Sequence, residues 1–200
     1  FGKLTIPLLI KKNHLVLAGI RGGEPRLRDT FQSDECYTLI LNALENKQLF
    51  AIDLELTDPI SVSNALNQVK EITQGKLDVL INNAGYGILS PVETQSLDSI
   101  KNQFEVNFFS PLKLIFELLP LLKKSQGKII NISSIVGSIS FPFYGVYAAT
   151  KHSMNAVSEA LFDELKKFGV QTTLIEPGGF KTQFVNKTLL DESRNSSEYS

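Results

Sequence analysis

A chain of 200 residues, 42% hydrophobic and 20% charged, has the composition of an ordinary folded protein of about one domain. Its 20 Lys and Arg residues against 21 Asp and Glu leave a formal net charge of −1, so no field draws in nucleic acid or an anionic membrane surface. Cys36 is the single cysteine, which excludes an intrachain disulfide and fits a reducing, cytoplasmic setting.

No apolar run reaches the roughly 20 residues of a membrane helix. The best candidate, Leu112 to Leu122, is broken by Lys113, Glu117 and Pro120, and no charged-then-apolar leader opens the chain.

Taken in chain order, Phe1-Gly2-Lys3 runs into Leu4, Ile6, Leu8, Leu9 and Ile10, a first helix that Pro7 should bend or delay. Leu15 to Ile20, Leu49 to Ile52, Leu77 to Ile81, Lys128 to Ile132 and Val170 to Ile175 are nearly continuous apolar runs of strand length. Ile60 to Thr73 follows the helix-start signal Asp58-Pro59. Leu97 to Lys124 and Val146 to Phe168 are longer helical stretches, the second stopped by Gly169.

Strands alternating with helices predict an α/β fold: a Rossmann-like, doubly wound parallel sheet in three α/β/α layers, one nucleotide-binding domain over 1–200. Such a fold opens with a strand and a Gly-rich turn. Gly2 reads as the last glycine of that turn, so the first strand and most of the phosphate loop are expected to precede Phe1.

In Tyr147-Ala148-Ala149-Thr150-Lys151, helical spacing puts the tyrosine and lysine on one face. A neighbouring ammonium favours the phenolate, lowering a pKa that ordinarily lies near 10. The pair can then donate a proton to a carbonyl or take one from an alcohol. Asn131-Ile132-Ser133-Ser134 ends a strand, where a hydroxyl can bond a substrate oxygen as it gains charge. Asn82-Asn83-Ala84-Gly85 ends another, with small residues that let a ligand approach the backbone. Each motif alone is equally consistent with an ordinary helix face or turn.

Together, Asn82-Asn83-Ala84-Gly85, Asn107, Ser134, Tyr147, Lys151 and Pro177-Gly178 resemble the short-chain dehydrogenase/reductase family in its compact, single-domain branch, which includes hydroxysteroid and retinol dehydrogenases. The likeness runs from about Leu15 to Thr182. Ser134 stands thirteen positions before Tyr147, the family's usual separation, which favours Ser134 over Ser133 and Tyr147 over Tyr144.

The resemblance implies Tyr147 as general acid/base, Lys151 as the group that lowers its pKa and binds the nicotinamide ribose, and Ser134 as the group orienting the substrate carbonyl. Asn107 resembles the family's asparagine that holds a proton-relay water at a helix irregularity. Gly2, Asn83, Ala84, Gly85, Pro177, Gly178 and Thr182 would line the cofactor. Glu55, with Leu56 beside it, stands where the family commonly has an aspartate near adenine.

Arg21, directly after the Leu15–Ile20 strand, favours a cofactor with a 2′-phosphate, hence NADP(H), with NAD the alternative if Arg21 is simply a solvated loop residue. Phe180 and Phe184 behind Pro177-Gly178, and Phe141 to Tyr144 before Tyr147, outline an apolar substrate pocket, although the latter cluster also reads as core or dimer contact. The family's last strand and helix would follow Ser200.

The expected activity is carbonyl–alcohol interconversion by hydride transfer on a small apolar substrate. The rivals are a 3-oxoacyl-thioester reductase, a non-catalytic nucleotide-binding scaffold, and a weaker extended-family epimerase or dehydratase. The resemblance implies a homodimer or homotetramer packed through the helices that bear Asn107 and Tyr147, for which Leu112, Leu114, Ile115, Phe116, Leu118 and Leu119 would supply apolar surface. His14 and His152 stand far apart, so no metal site is expected.

Overall fold

In a computed structural model, the described residues are 1–179 and the backbone of Leu189–Leu190, and the chain divides into two compact units, Phe1–Gln74 and Gly75–Ser200.

The first unit contains α1 (Gly2–Lys11), β1 (Val16–Ile20), α2 (Gly23–Phe31), α3 (Tyr37–Glu45), β2 (Leu49–Asp53) and α4 (Pro59–Ile72). β1 and β2 pair in parallel, from Val16 opposite Leu49 to Ile20 opposite Asp53. Ile10, Val16, Leu27, Phe31, Ile40 and Leu49 form its core, each burial of a large apolar side chain contributing about 1.5–3 kcal/mol. Asp58 caps α4 as the sequence predicts, its Oδ1 accepting from Ile60 N at 2.9 Å, with Pro59 in the first turn, where an N–H is dispensable. One expectation is corrected. Pro7 does not delay α1, which starts at Gly2 and runs through the proline to Lys11. The stretch between Arg21 and Leu49, for which no element was expected, holds both α2 and α3.

The second unit contains β3 (Val79–Asn82), β4 (Ile88–Leu89), α5 (Leu97–Phe104), α6 (Ser110–Ser125), β5 (Lys128–Ile132), α7 (Gly145–Lys166), β6 (Gln171–Ile175) and β7 (Leu189–Leu190). β3, β5 and β6 form a parallel ladder in the order β3-β5-β6, and β4 pairs in parallel with β7. Ile115 and Leu122 of α6 and Leu161 and Leu165 of α7 pack with Ile129 and Val170. The stretch expected as one helix over Leu97 to Lys124 is interrupted by a single wide π turn, Glu105–Phe109. Among the described residues, no helix is long and apolar enough to cross a membrane.

Candidate active site and cofactor cleft

At the C-terminal end of β5 the chain leaves the sheet and is pinned to the end of β6. Ser133 N donates to Ile175 O at 2.8 Å and Ile135 N to Pro177 O at 3.0 Å. These bonds flank Ser134, which heads a 3₁₀ turn over Ile135–Gly137 and accepts from Val136 N through its Oγ. The two serines separate chemically. Ser133 is buried and donates to Asn155 Oδ1, whereas the Ser134 hydroxyl hydrogen-bonds the side chain of Tyr147.

Tyr147 and Lys151 lie one turn apart on α7, each 5% exposed. The lysine Nζ donates to Ile132 O at 2.9 Å, tying α7 to the strand end that carries Ser134. It also stands 5.8 Å from the tyrosine ring centroid. Burial disfavours the ammonium and brings the Lys151 pKa down to about 8. The tyrosine moves opposite to the sequence expectation: burial raises its pKa, and the Ser134 hydrogen bond offsets only part of that rise. The phenol therefore holds its proton at neutral pH.

Asn107 sits in the π turn and is 2% exposed. π bulges inside helices concentrate at functional sites, because the extra residue re-aims a side chain. Here Asn107 Oδ1 accepts from Tyr86 N at 3.0 Å, and its Nδ2 donates to Tyr86 O at 2.8 Å and to Thr150 Oγ1 at 3.0 Å. One amide thus fixes the loop after β3 against α7. Gly85 lies in the same fork: a Cβ there would stand 3.1 Å from Asn107 Oδ1 and 3.5 Å from Lys151 Nζ. Asn82, whose Nδ2 donates to Asn131 Oδ1, is buried, while Asn83 and Ala84 are exposed beside it.

A second polar cleft belongs to the first unit, lined by Arg21, Gly22, Asp53, Glu55, Asp58 and Ser61 among others. Gly22, at φ +84°, turns the chain out of β1 so that its N–H donates to Asp53 Oδ1 at 2.8 Å. Arg21 is not a bare loop cation, since its Nε pairs with Glu55 Oε2.

The remaining expected positions scatter. Gly2 begins α1, Leu56 is buried, and Pro177 and Gly178 follow β6. Phe141 is exposed and Tyr144 half-buried, their rings 6.5 Å apart edge to face. Phe180, Thr182 and Phe184 lie outside the described residues. Three site residues escaped the sequence reading. Thr150 anchors Asn107, Asp53 shares the Arg21 cleft, and Gly87 leaves room for Tyr147, whose ring carbon Cγ would be 3.3 Å from a Cβ there. A second glycine two residues after Gly85 was the available signal for the last.

The profile of the short chain dehydrogenase family matches residues 28–193. A probable short-chain type dehydrogenase/reductase of Helicobacter pylori is 42% identical over 161 residues, 78% of this chain and 58% of that protein. The 3-ketodihydrosphingosine reductase of Bacteroides thetaiotaomicron is 32% identical over 199 residues, 99% of this chain and 66% of that protein. The chain thus spans between about half and two thirds of these relatives. Among solved structures, an NADPH-bound carbonyl reductase from chicken fatty liver superposes with a TM-score of 0.74 at 26% identity, covering 96% of this chain and 79% of that one. With Ser134, Tyr147 and Lys151 gathered at the end of a parallel strand, and most of its length matched by the family profile, the chain belongs to the short-chain dehydrogenase/reductase family.

Proposed function

We propose that the protein is an NADP(H)-dependent oxidoreductase that interconverts a carbonyl and an alcohol on a small apolar substrate. The observation that carries this reading is the buried Tyr147 phenol, hydrogen-bonded to Ser134 and one helical turn from a lysine amine anchored on Ile132 O. Gly85 supports cofactor binding in the same place, because the absence of a Cβ leaves backbone open beside Asn107 and Lys151. Asn83, Ala84, Pro177 and Gly178 are the further candidates in this unit. In the first unit Arg21 is the residue for a 2′-phosphate, with Glu55 and Leu56 beside it.

The cofactor, when bound, supplies or accepts the hydride. Ser134 holds the substrate oxygen. Tyr147, protonated at neutral pH, delivers its proton to that oxygen in the reductive direction and takes one back in the oxidative direction. Lys151 stands close enough for its charge to stabilise the phenolate left behind, and Asn107 keeps the Tyr86 backbone and Thr150 in place around the pair. The exposed side chains of Ile135, Ile139 and Phe141, between Ser134 and Tyr147, supply apolar surface for the substrate. The likeness to a 3-ketodihydrosphingosine reductase adds 3-ketodihydrosphingosine to the compounds to try. Exposed Phe109, Phe116 and Phe162 on the helical segments support self-association as a dimer or tetramer.

Fluorescence titration with NADPH and NADH, followed by an apolar ketone and aldehyde panel, tests the reading. Tyr147→Phe should bind NADPH but turn over about 10²–10⁴-fold more slowly. Wild-type turnover in that variant would refute the assignment.

A further inference from the structure

The cleft that contains Arg21 is not a cationic one. Its lining carries a single cation against three carboxylates, Asp53, Glu55 and Asp58. Asp53 Oδ1 takes the Gly22 N–H at 2.8 Å, and Asp58 Oδ1 takes the Ile60 N–H at 2.9 Å. The third, Glu55, meets the arginine.

The strand register explains why. β1 and β2 run in parallel with Ile20 opposite Asp53, and the ladder is prolonged by Leu54 N donating to Ile20 O at 3.2 Å. Arg21 and Glu55 therefore leave the two strand ends side by side. Glu55 is held there from three directions. Its N–H donates to Ser61 Oγ at 2.9 Å, and its Oε1 accepts from Thr57 N at 3.2 Å and from Thr57 Oγ1 at 2.9 Å. Its Oε2 is left for Arg21 Nε.

We propose that Glu55 is a built-in competitor for Arg21 and sets the degree of cofactor selectivity: it weakens preference for a 2′-phosphate and so admits NADH alongside NADPH. The inference rests on the assignment of Arg21 to the 2′-phosphate. Two effects of Glu55 oppose each other. Preorganising an exposed arginine helps a phosphate by at most about fivefold. A fixed carboxylate sharing one guanidinium with a dianionic phosphate repels it by about tenfold even at the dielectric of water. Repulsion wins, so neutralising Glu55 tightens NADPH more than NADH.

Glu55→Gln is the informative variant, because the amide oxygen still accepts from Thr57 and the backbone bond to Ser61 is untouched. The ratio of NADPH to NADH affinity, read by fluorescence titration, should rise about two- to tenfold at low salt and by less at high salt, where charges are screened. Glu55→Asn, a second neutral variant, should move the ratio the same way. A ratio that stays level or falls in both would overturn the proposal. Arg21→Gln separates this from failure of the underlying assignment. If that variant leaves the NADPH-to-NADH ratio at its wild-type value, Arg21 does not read the phosphate, and the role of Glu55 falls with it. If it lowers the ratio while the Glu55 variants do nothing, Arg21 stands and the competitor is rejected.

Discussion

Tyr147 and Lys151 are each 5% exposed, whereas the Arg21 side chain, in the other unit, is 79% exposed. In the first setting the charged form of Lys151 is disfavoured by burial, and its position is fixed by Ile132 O and the close approach of α7. In the second, solvent screens the charges, and Arg21 meets Glu55 where the strand register and the bonds to Ser61 and Thr57 hold the carboxylate. Buried hydroxyls and amines are therefore committed by packing, and altering one disturbs several neighbours. The exposed guanidinium and the half-buried Glu55 carboxylate beside it should be exchangeable with little effect on stability. Substituting the proposed acid–base groups should therefore cost turnover, while cofactor choice should be easily retuned.

The sharpest way to break that contrast, after loss of the Tyr147 phenol, is Lys151→Met. The lysine pKa falls from 10.5 to about 8 on burial, and each tenfold change in proton affinity corresponds to about 1.4 kcal/mol. Because the folded pKa lies below the unfolded one, the unfolded chain binds the proton more tightly. Below pH 8 both states are charged and the folded state carries the full penalty; between pH 8 and 10.5 that penalty disappears as pH rises. Lys151→Met should therefore be more stable than wild type at pH 7, by about 1–3 kcal/mol, and lose the rise in stability above pH 8. Turnover should drop by about 10²-fold or more. Urea unfolding at neutral and alkaline pH checks this; parallel curves for the two proteins would show that the buried ammonium is not destabilising.

Next in size is Asn107→Ala. It deprives Tyr86 of partners for both its N–H and its carbonyl and removes a donor to Thr150. Leaving such groups unsatisfied costs about 1–3 kcal/mol each, so stability should fall by about 2–4 kcal/mol. Turnover should fall more than cofactor affinity, because the residues displaced adjoin Tyr147. A variant with wild-type melting temperature would mean that the π turn does not depend on its asparagine.

Much of this arrangement was legible in the sequence, and the exceptions have physical causes. β1, β2, β3, β5 and β6 announced themselves as apolar runs, and Asp58-Pro59 announced α4, because burial and capping act on adjacent residues. Helical spacing put the tyrosine and lysine on one face, and the family resemblance singled out Ser134. α2 escaped because it is mostly polar and buries only Leu27 and Phe31 among its larger side chains, leaving almost no periodicity. The π turn had no local signature and was anticipated only through family resemblance at Asn107. The direction of the Tyr147 pKa was misread because spacing reveals the neighbouring ammonium but not the desolvation, which only the packed structure supplies. The Arg21–Glu55 pair was invisible for a similar reason, since partners 34 positions apart meet through strand register rather than sequence proximity.

The mildest test concerns Gly87, which bears no functional group at all. A Cβ at this position would stand 3.3, 3.5 and 3.6 Å from three carbons of the Tyr147 ring. The first distance is tighter than a comfortable contact, and the ring cannot yield freely because Tyr147 packs with Val136 and Ala148. Overpacking of this kind costs about 1–3 kcal/mol. The low end applies here, since a few tenths of an ångström relieve the contact. Gly87→Ala should therefore remain folded, lose about 1 kcal/mol of stability, and lower kcat by about tenfold as the phenol shifts relative to Ser134. Cofactor affinity should move much less than kcat, and the pH profile should keep its shape, because no titratable group is altered. An equal loss in cofactor affinity would place Gly87 against the ligand instead of the tyrosine, and unchanged kcat would show that the phenol tolerates displacement, making the buried site as adaptable as the exposed cleft.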